Sequence, residues 1–292
     1  MYVFVLGTGR CGSTLVHEVL ARHPEVGFVS NVDDRLASLG LLGRWNNAVY
    51  RRIPDRFTRK GRLRYAPSEA YRVLDAQVSP LLDQPFRDLT AADATPWLTE
   101  RFRTFFERRR VAQAKPVFLH KFTGWPRSGF VREALPAAKF VNVIRDGRAV
   151  ANSWLQMPWW LGYGGPAQWH WGPLPDEYEQ VWDSSGRSHV ILAGLGWNIL
   201  MDAFDQARVL VPGTDWVDVR YEDVVAEPRK EIAGLLSFMG LEWTPEFEAA
   251  FSTYTFSSGR SDAFRRDLGE ADVAALGAAL APHLSAHGYP TT

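Results

Sequence analysis

The first residues of the chain combine a strand pattern with a glycine-rich loop. Residues 3–6 are apolar and predict a buried strand, and Gly7, Gly9 and Gly12 follow at once. Residues 13–20 then continue as an apolar run that favours a helix. A strand, a glycine loop and a helix start together aim backbone N–H groups and the positive helix end at an anion such as phosphate. The order of these elements therefore predicts a phosphate cradle.

The charge in this loop differs from that of nucleotide hydrolases. Their loop reads G-x-x-x-x-G-K-[ST], and its lysine reaches the terminal phosphates. Ser13 stands here at the lysine position, and the cation is Arg10, three residues earlier. A strand predicted at 139–144 runs into Arg145, Asp146 and Arg148, a neighbourhood that suits an anion better than Mg²⁺. We therefore expect a ligand with two separated phosphate groups, one on the loop and one beside Arg145.

Two further strand ends carry candidates for chemistry. A strand predicted at 116–121 ends in His120 and Lys121, and Asp33 and Asp34 follow a short strand predicted at 26–29. The carboxyl ends of the strands in an open α/β sheet face the ligand crevice, so these groups could reach it. The paired carboxylates are candidates for acid–base work. The alternative is that they cap a helix or carry surface charge.

Composition narrows the class of protein. The chain has 292 residues, of which 33 are basic and 33 acidic, so no net field points to nucleic acid or to an anionic membrane. The single cysteine, Cys11, excludes an internal disulfide and a cysteine-based metal cluster. No uncharged apolar run approaches the ~20 residues of a membrane span. We expect a cytoplasmic protein without a membrane span.

Strand and helix patterns alternate along the chain, which predicts an α/β fold with a P-loop-type central parallel β-sheet flanked by helices. We expect a single domain over residues 1–292. Residues 156–188 are rich in Trp, Gly and Pro and predict an irregular lid or acceptor-binding segment; local core under a long loop is the alternative. A basic run at 44–65 favours a solvated face over an anion-steering surface.

Taken in order, the motifs resemble those of sulfotransferases that use 3′-phosphoadenosine 5′-phosphosulfate (PAPS), of the bacterial and tyrosyl-protein type. Residues 9–15 resemble the loop P-[RK]-S-G-[ST]-T-[LW] for the 5′-phosphosulfate, and residues 145–153 resemble the 3′-phosphate element R-D-P-R-x-x-x-x-S. Residues 220–223 match R-Y-E-D, whose tyrosine contacts the adenine side. Residues 119–121 resemble the strand end that brings a lysine to the bridging oxygen. The resemblance spans residues 5–240.

This resemblance implies PAPS as co-substrate and no required metal. It implies Arg10 and Lys121 as catalytic cations. It assigns donor binding to Gly9, Arg10, Cys11, Gly12, Ser13, Thr14, Arg145, Ser153 and Tyr221, with Ser257, Arg260 or Arg266 as a C-terminal contribution at the 3′-phosphate.

The chain departs from the family pattern in its base. Cytosolic members carry a histidine two residues after the strand-end lysine, where this chain has Thr123. Tyrosyl-protein-type members carry a glutamate after the second strand, where Ser30 and Asn31 stand. We therefore predict Asp33 or Asp34 as the general base, with His120 and His170 in reserve. The milder departures are Cys11 for serine and Gly147 for proline.

The expected activity is in-line sulfuryl transfer to a hydroxyl or amine of a small-molecule, glycan or lipid-like acceptor. The alternatives are a P-loop kinase-like phosphotransferase and a non-catalytic nucleotide-binding protein. A homodimer is left open.

Overall fold

A five-stranded parallel sheet forms the centre of the protein. The computed structural model describes residues 1–54, 57–58, 64–83, 85–257 and 259–291. The strand order is β2-β3-β1-β4-β5, and every neighbouring pair is parallel. The strands are β1 (Tyr2–Leu6), β2 (Val26–Gly27), β3 (Val117–Lys121), β4 (Lys139–Ile144) and β5 (Trp216–Arg220). The predicted α/β fold with a parallel central sheet is confirmed.

Helices flank the sheet and fill most of the remaining described residues. They are α1 (Ser13–Leu20), α2 (Asn31–Arg35), α3 (Asn46–Arg52), α4 (Tyr71–Gln77), α5 (Pro96–Gln113), α6 (Ser128–Ala134), α7 (Gly147–Leu155), α8 (Asp176–Ser184), α9 (His189–Leu210), α10 (Tyr221–Ala226), α11 (Pro228–Phe238), α12 (Pro245–Phe251), α13 (Ala263–Asp267) and α14 (Glu270–Ala286). No helix of the described residues is both long and apolar enough to cross a bilayer.

The sheet separates two apolar cores because side chains alternate between its faces. Val3 and Val5 of β1 belong to one buried cluster, which includes side chains of α1, α7 and α9. Phe4 and Leu6 belong to the other, which includes phenylalanines of α5 and α6. Burial on both faces explains why the strands read as continuous apolar runs rather than as alternating ones.

Strand register determines which strand ends meet. Val5 of β1 is opposite Lys121 of β3, and Leu6 of β1 is opposite Asn142 of β4. The glycine loop after β1 therefore lies between the end of β3 and the end of β4. This register places Lys121 on one side of the loop and Arg145 on the other.

Three segments differ from the sequence prediction. Strand β2 ends at Gly27, and Ser30 instead caps α2 with a capping box. A strand over residues 216–221 is expected from their apolar pattern, but β5 ends at Arg220 and Tyr221 begins α10. The segment 156–188, predicted as irregular, contains the surface helix α8, whose first turn carries Asp176, Glu177 and Glu179 and so complements the helix dipole.

Candidate active site

The loop after β1 leads directly into α1. Gly12 caps α1 with φ of 94°, a conformation that residues with a Cβ rarely adopt. A Cβ at this position would lie 2.2 Å from Cδ2 of Tyr221. The first N–H groups of α1 have no partner within the helix, so the loop presents donors and a positive helix end. The Tyr221 ring thus packs against the loop so closely that only glycine fits at position 12.

A cleft of about 690 Å³ opens at this edge of the sheet. Its lining comes from the glycine loop, the turn after β3, the Trp-rich segment and the C-terminal region. Among the residues that line it are Gly9, Arg10, Gly12, Ser13, Thr14, Glu69, Tyr71, Thr123, Trp125, Arg145, Trp159, His170, Trp171, Tyr221 and Arg260. A concave site with convergent charged groups is the usual place for a small-molecule ligand.

Three arginines come together at one end of the cleft. Arg145 Nη1 donates to the carbonyl of Arg10 at 2.9 Å, and its Nη2 donates to the carbonyl of Arg260 at 2.7 Å. Burial, and next the positive charges of Arg260 and Arg145, lower the pKa of Arg10. No carboxylate among the described residues forms an ion pair with any of the three. An anion would relieve their mutual repulsion.

Ser153 joins this cluster through Arg10. Arg10 Nε donates to Ser153 Oγ at 2.9 Å. The guanidinium of Arg145 lies 4.7 Å from the centre of the Tyr221 ring, and its buried Nε has no hydrogen-bond partner among the described residues. The structure therefore brings Arg10, Arg145, Ser153 and Tyr221 together. Lys121, the other predicted catalytic cation, has different neighbours from Arg10.

Arg148 lies outside this cluster, although the sequence placed it with Arg145. Its side chain is buried and forms a two-point contact with Asp146, with Nε to Oδ1 at 3.0 Å and Nη2 to Oδ2 at 2.8 Å. Asp146 also accepts from the backbone N–H of Arg148 and so caps the N-terminus of α7. The two charges balance, so Arg145 alone from this turn presents charge to the cleft.

Lys121 connects the loop helix to a carboxylate. Its buried ammonium donates to Thr14 Oγ1 at 2.7 Å and pairs with Glu69 Oε1 at 2.7 Å. Thr123 Oγ1 donates to the same Glu69 oxygen at 3.2 Å. A cation, a carboxylate and a helix N-terminus thus lie side by side. This arrangement can accept a proton and stabilise developing negative charge at one place.

Glu69 is the functional candidate that the sequence did not reveal. Its segment pairs with the chain beyond β2: Asn31 N donates to Ala66 O, and Ser68 N donates to Val29 O, both at 2.9 Å. An isolated antiparallel bridge joins Ser30 to Pro67. This pairing brings Glu69 to the carboxyl edge of the sheet, and no strand pattern around residue 69 predicts it.

Asp33 and Asp34 do not line the cleft. Asp33 is buried, and its Oδ2 accepts hydrogen bonds from Ser30 N and Ser30 Oγ at 2.9 Å each and from Asn46 Nδ2 at 2.5 Å. Asp34 Oδ1 accepts from the backbone N–H of Val73 at 3.1 Å. Both carboxylates hold helices in place, which was the alternative interpretation of this pair.

The two reserve histidines have opposite environments. His120 is fully buried between the rings of Phe4, Phe106 and Phe122, with both ring nitrogens unpartnered among the described residues. Burial, and next the charges of Lys121, Arg109 and Arg127, lower its pKa to about 3. His120 is therefore a core residue. His170 is exposed and lines the rim of the cleft.

A model of the sulfotransferase family matches residues 3–245. The chain belongs to the sulfotransferase family. The prediction of an enzyme of this family is therefore confirmed. Searching the curated proteins gave no match.

Solved sulfotransferases share the fold of this family member. A sulfotransferase from Mycobacterium avium aligns with a TM-score of 0.62 at 16% identity, over 99% of this chain and 77% of that one. The sulfotransferase domain from the curacin biosynthetic pathway aligns with a TM-score of 0.54 at 14% identity, over 99% and 97%. The sulfotransferase domain of the Synechococcus PCC 7002 olefin synthase gives 0.52 at 17%, over 99% and 94%. At such low identities, these alignments show only that the fold is shared.

Of the other residues that the family motifs pointed to, some line the cleft of the sulfotransferase and some do not. Cys11 is buried beneath the loop, and a Cβ on Gly7 would lie 2.4 Å from its Sγ. Gly147, which stands for the usual proline, faces Trp197, where a Cβ would lie 2.5 Å from the ring. Of the three C-terminal candidates, Arg260 lines the cleft, whereas Ser257 and Arg266 are exposed outside the lining.

Several tryptophans of the Trp-rich segment pack into the core, although most of its residues are exposed or half-buried. Trp154 and Trp171 stack with ring centres 4.3 Å apart, and Trp169 packs edge-on against Trp171 at 5.2 Å. Trp160 is also buried. Trp159, by contrast, is 42% exposed and lines the cleft. The segment therefore provides an aromatic wall supported by a tryptophan core.

The basic run at 44–65 is only partly described. Arg56, Arg59, Lys60 and Arg62 lie outside the described residues. Arg44 stacks on Trp45, with its guanidinium carbon 5.4 Å from the ring centre, and Arg64 pairs with Glu18. None of the described basic residues of this run lines the cleft.

Proposed function

We propose that this sulfotransferase moves the sulfuryl group of PAPS to a hydroxyl or amine of a small-molecule, glycan or lipid-like acceptor. The observation that carries the proposal is one cleft with two charged centres around a glycine loop. One centre is the cluster of Arg10, Arg145 and Arg260, and the other is the Lys121–Glu69 pair.

The arginine cluster suits the 3′-phosphate end of the donor. Arginine holds phosphate by paired, charge-assisted hydrogen bonds. Arg145 has a buried Nε without a partner among the described residues, and the Ser153 hydroxyl already contacts Arg10. We assign Arg145, Ser153 and Arg260 to this phosphate and the Tyr221 ring to the adenine side. The loop N–H groups of residues 9–14 would hold the 5′ end.

The Lys121 ammonium supports a donor that brings no metal. In nucleotide hydrolases the loop Ser or Thr hydroxyl holds Mg²⁺. Here the Thr14 hydroxyl accepts a hydrogen bond from Lys121 Nζ at 2.7 Å, so a protein cation stands next to it. This cation is well placed for a phosphosulfate, whose bridging oxygen gains charge as its bond to sulfur breaks.

Glu69 is our candidate for the general base. The oxygen or nitrogen of the acceptor forms a bond to sulfur and gives its proton to the Glu69 carboxylate. At the same time, the bond between sulfur and the bridging oxygen of the phosphate breaks. Lys121 and the loop N–H groups stabilise the charge that grows on the departing phosphate, a role worth ~3–4 kcal/mol per well-placed donor. General-base assistance adds a factor of ~10²–10⁴.

The acceptor side of the cleft is aromatic. Tyr71, Trp125, Trp159 and Trp171 line it, near the turn after β3 that carries Thr123. Aromatic faces stack on planar or apolar groups. We therefore propose an acceptor that carries a ring or an apolar portion next to its reacting hydroxyl or amine.

Thermal unfolding with two nucleotides tests the proposal. We expect 3′,5′-adenosine bisphosphate to raise the melting temperature in the presence of a chelator, because binding to the folded state stabilises it. If only ATP together with Mg²⁺ stabilises the protein, and the bisphosphate does not, the proposal is contradicted and a kinase is favoured. Bisphosphate binding without transfer of labelled sulfate to any acceptor in a broad panel would favour a non-catalytic nucleotide-binding protein.

A further inference from the structure

A cluster of histidines and carboxylates lies between α9 and α14, outside the cleft. His283 lies in the last turn of α14, and His287, four residues later, is the residue that caps the C-terminus of this helix. His283 Nδ1 lies 3.4 Å from Asp205 Oδ2, and His287 Nε2 lies 3.3 Å from Asp205 Oδ1. None of these side chains lines the cleft. The cluster is therefore separate from the proposed chemistry.

The three side chains have the spacing of a metal site. One ligand atom each from Asp205, His283 and His287 lies within 4.8 Å of the other two. Zinc binds nitrogen at about 2.0–2.1 Å and carboxylate oxygen at about 2.0–2.2 Å, so the ligand atoms of a tetrahedral ion lie roughly 3.3–3.5 Å apart. Each histidine lies at about this distance from one of the two Asp205 oxygens, His283 Nδ1 at 3.4 Å from Oδ2 and His287 Nε2 at 3.3 Å from Oδ1.

Asp202 orients His283 for such a role. Its Oδ1 lies 2.9 Å from His283 Nε2, and its Oδ2 accepts a hydrogen bond from the Tyr178 hydroxyl at 2.6 Å. When His283 Nε2 carries the proton and donates it to Asp202, the Nδ1 lone pair faces Asp205. Metal-binding histidines almost always donate their other ring N–H to a carboxylate or carbonyl in this way.

His287 supplies an independent observation. Its side chain is only 10% exposed, and its buried Nε2 has no hydrogen-bond partner in the described part of the chain. Buried polar atoms normally have such a partner, so an orphaned one calls for an explanation. The nitrogen lies 3.3 Å from Asp205 Oδ1 without a hydrogen bond to it, and an ion bound to both atoms would satisfy it.

We propose that Asp205, His283 and His287 bind a divalent transition-metal ion of the zinc type, which links α14 to α9. Imidazole ligands favour such ions over Mg²⁺ and Ca²⁺, which prefer oxygen. Asp205 is 42% exposed, so solvent reaches the site and can supply a fourth ligand. The ion ties the C-terminal helix to the core and does not take part in sulfuryl transfer.

Calorimetric titration of the full chain with Zn²⁺ tests the site. The protein is tag-free and first stripped with a chelator; its only cysteine is buried and does not compete. We expect one equivalent of Zn²⁺ to bind and to raise the melting temperature, whereas Mg²⁺ does neither. His283→Ala and His287→Ala should abolish both effects. His189→Ala, which removes an exposed histidine at the start of α9, should leave both unchanged.

Two further variants separate coordination from packing. His287→Gln keeps a polar side chain of similar reach and should also lose binding, while its circular dichroism spectrum stays that of the wild type. Asp202→Asn removes the orienting carboxylate and should weaken binding by about 10–100-fold. The proposal is overturned if the wild type takes up no Zn²⁺, which would leave an ion-pair network of His283 with the two aspartates. It is also overturned if His287→Gln binds Zn²⁺ as tightly as the wild type.

Discussion

At the scale of a single residue, Glu69 links the Lys121 ammonium at the end of β3 to the proposed acceptor side of the cleft. It pairs with Lys121, and it accepts a hydrogen bond from Thr123. Its carboxylate is 30% exposed and so can meet a bound acceptor. Asp33 and Asp34, the carboxylates that the sequence suggested, instead accept hydrogen bonds from the cap of their own helix and from neighbouring helices.

We expect Glu69→Gln to reduce kcat by a factor of ~10²–10⁴, the usual contribution of a general base. The change keeps size and polarity while removing the proton acceptor. Donor binding, measured with 3′,5′-adenosine bisphosphate, should change little. Asp34→Asn is the matched control, and it should keep nearly full kcat in the labelled-sulfate assay. Full activity of Glu69→Gln would place the base elsewhere, with His170 as the next candidate at the rim.

His120 is a residue whose burial carries a cost in stability. Its ring nitrogens are unpartnered among the described residues, and an unsatisfied buried group costs ~1–3 kcal/mol. We expect His120→Leu to raise the free energy of unfolding at pH 7, measured by urea denaturation. His120→Ala should lower it, because it leaves a cavity between the phenylalanine rings. A destabilised His120→Leu would contradict this account.

The same residue predicts how stability depends on pH. The pKa of His120 is lowered to about 3 in the folded protein, while an unfolded histidine has a pKa of about 6.5. The unfolded state therefore binds a proton between these values that the folded state does not bind, and stability falls as pH falls below about 6.5. In His120→Leu this loss should be smaller over the same pH range.

At the scale of helices and strands, the carboxyl edge of the sheet was the predictable part. Strands β1, β3 and β4 have long apolar runs, and the residues at their ends define the loop, Lys121 and Arg145. Short elements were not predictable in the same way. Helices α2 and α4 have five and seven residues and are positioned by tertiary contacts such as the Ser30–Pro67 bridge. Glu69 depends on that bridge, which no local pattern encodes.

The glycine loop and α10 depend on each other at this scale. We expect Gly12→Ala to lower stability and to weaken bisphosphate binding at least tenfold, because its Cβ would lie 2.2 Å from Cδ2 of Tyr221. Gly240→Ala is a matched control: Gly240 also has a positive φ, of 67°, but its Cβ would meet nothing within 4 Å. This control should show the backbone penalty of ~1–2 kcal/mol and normal binding. If the two changes reduced stability and binding equally, the contact between position 12 and the Tyr221 ring would have no specific role.

At the scale of the whole molecule, one parallel sheet holds both charged centres in fixed relation. The arginine cluster comes from the loop after β1, the end of β4 and the C-terminal region. The Lys121–Glu69 pair lies at the end of β3. The motifs at the strand ends are local in sequence, so they predicted the family. The candidate base, Glu69, lies far from Lys121 in the sequence, so the motifs did not identify it. The proposed zinc-type site between α9 and α14 would stabilise the C-terminal helix at a distance from this edge.

Above all, we propose that the cleft binds a bisphosphorylated adenosine donor without a metal, through Arg145. Calorimetric titration with 3′,5′-adenosine bisphosphate in a chelating buffer measures this directly, for the wild type, Arg145→Ala and the surface control Arg229→Ala. We predict tight binding to the wild type and to the control. Arg145→Ala should lose ~1.5–3 kcal/mol, the value of hydrogen bonds to a charged group, or roughly 10–150-fold in Kd. Wild-type binding that needs Mg²⁺, or equal binding by Arg145→Ala, would contradict the account.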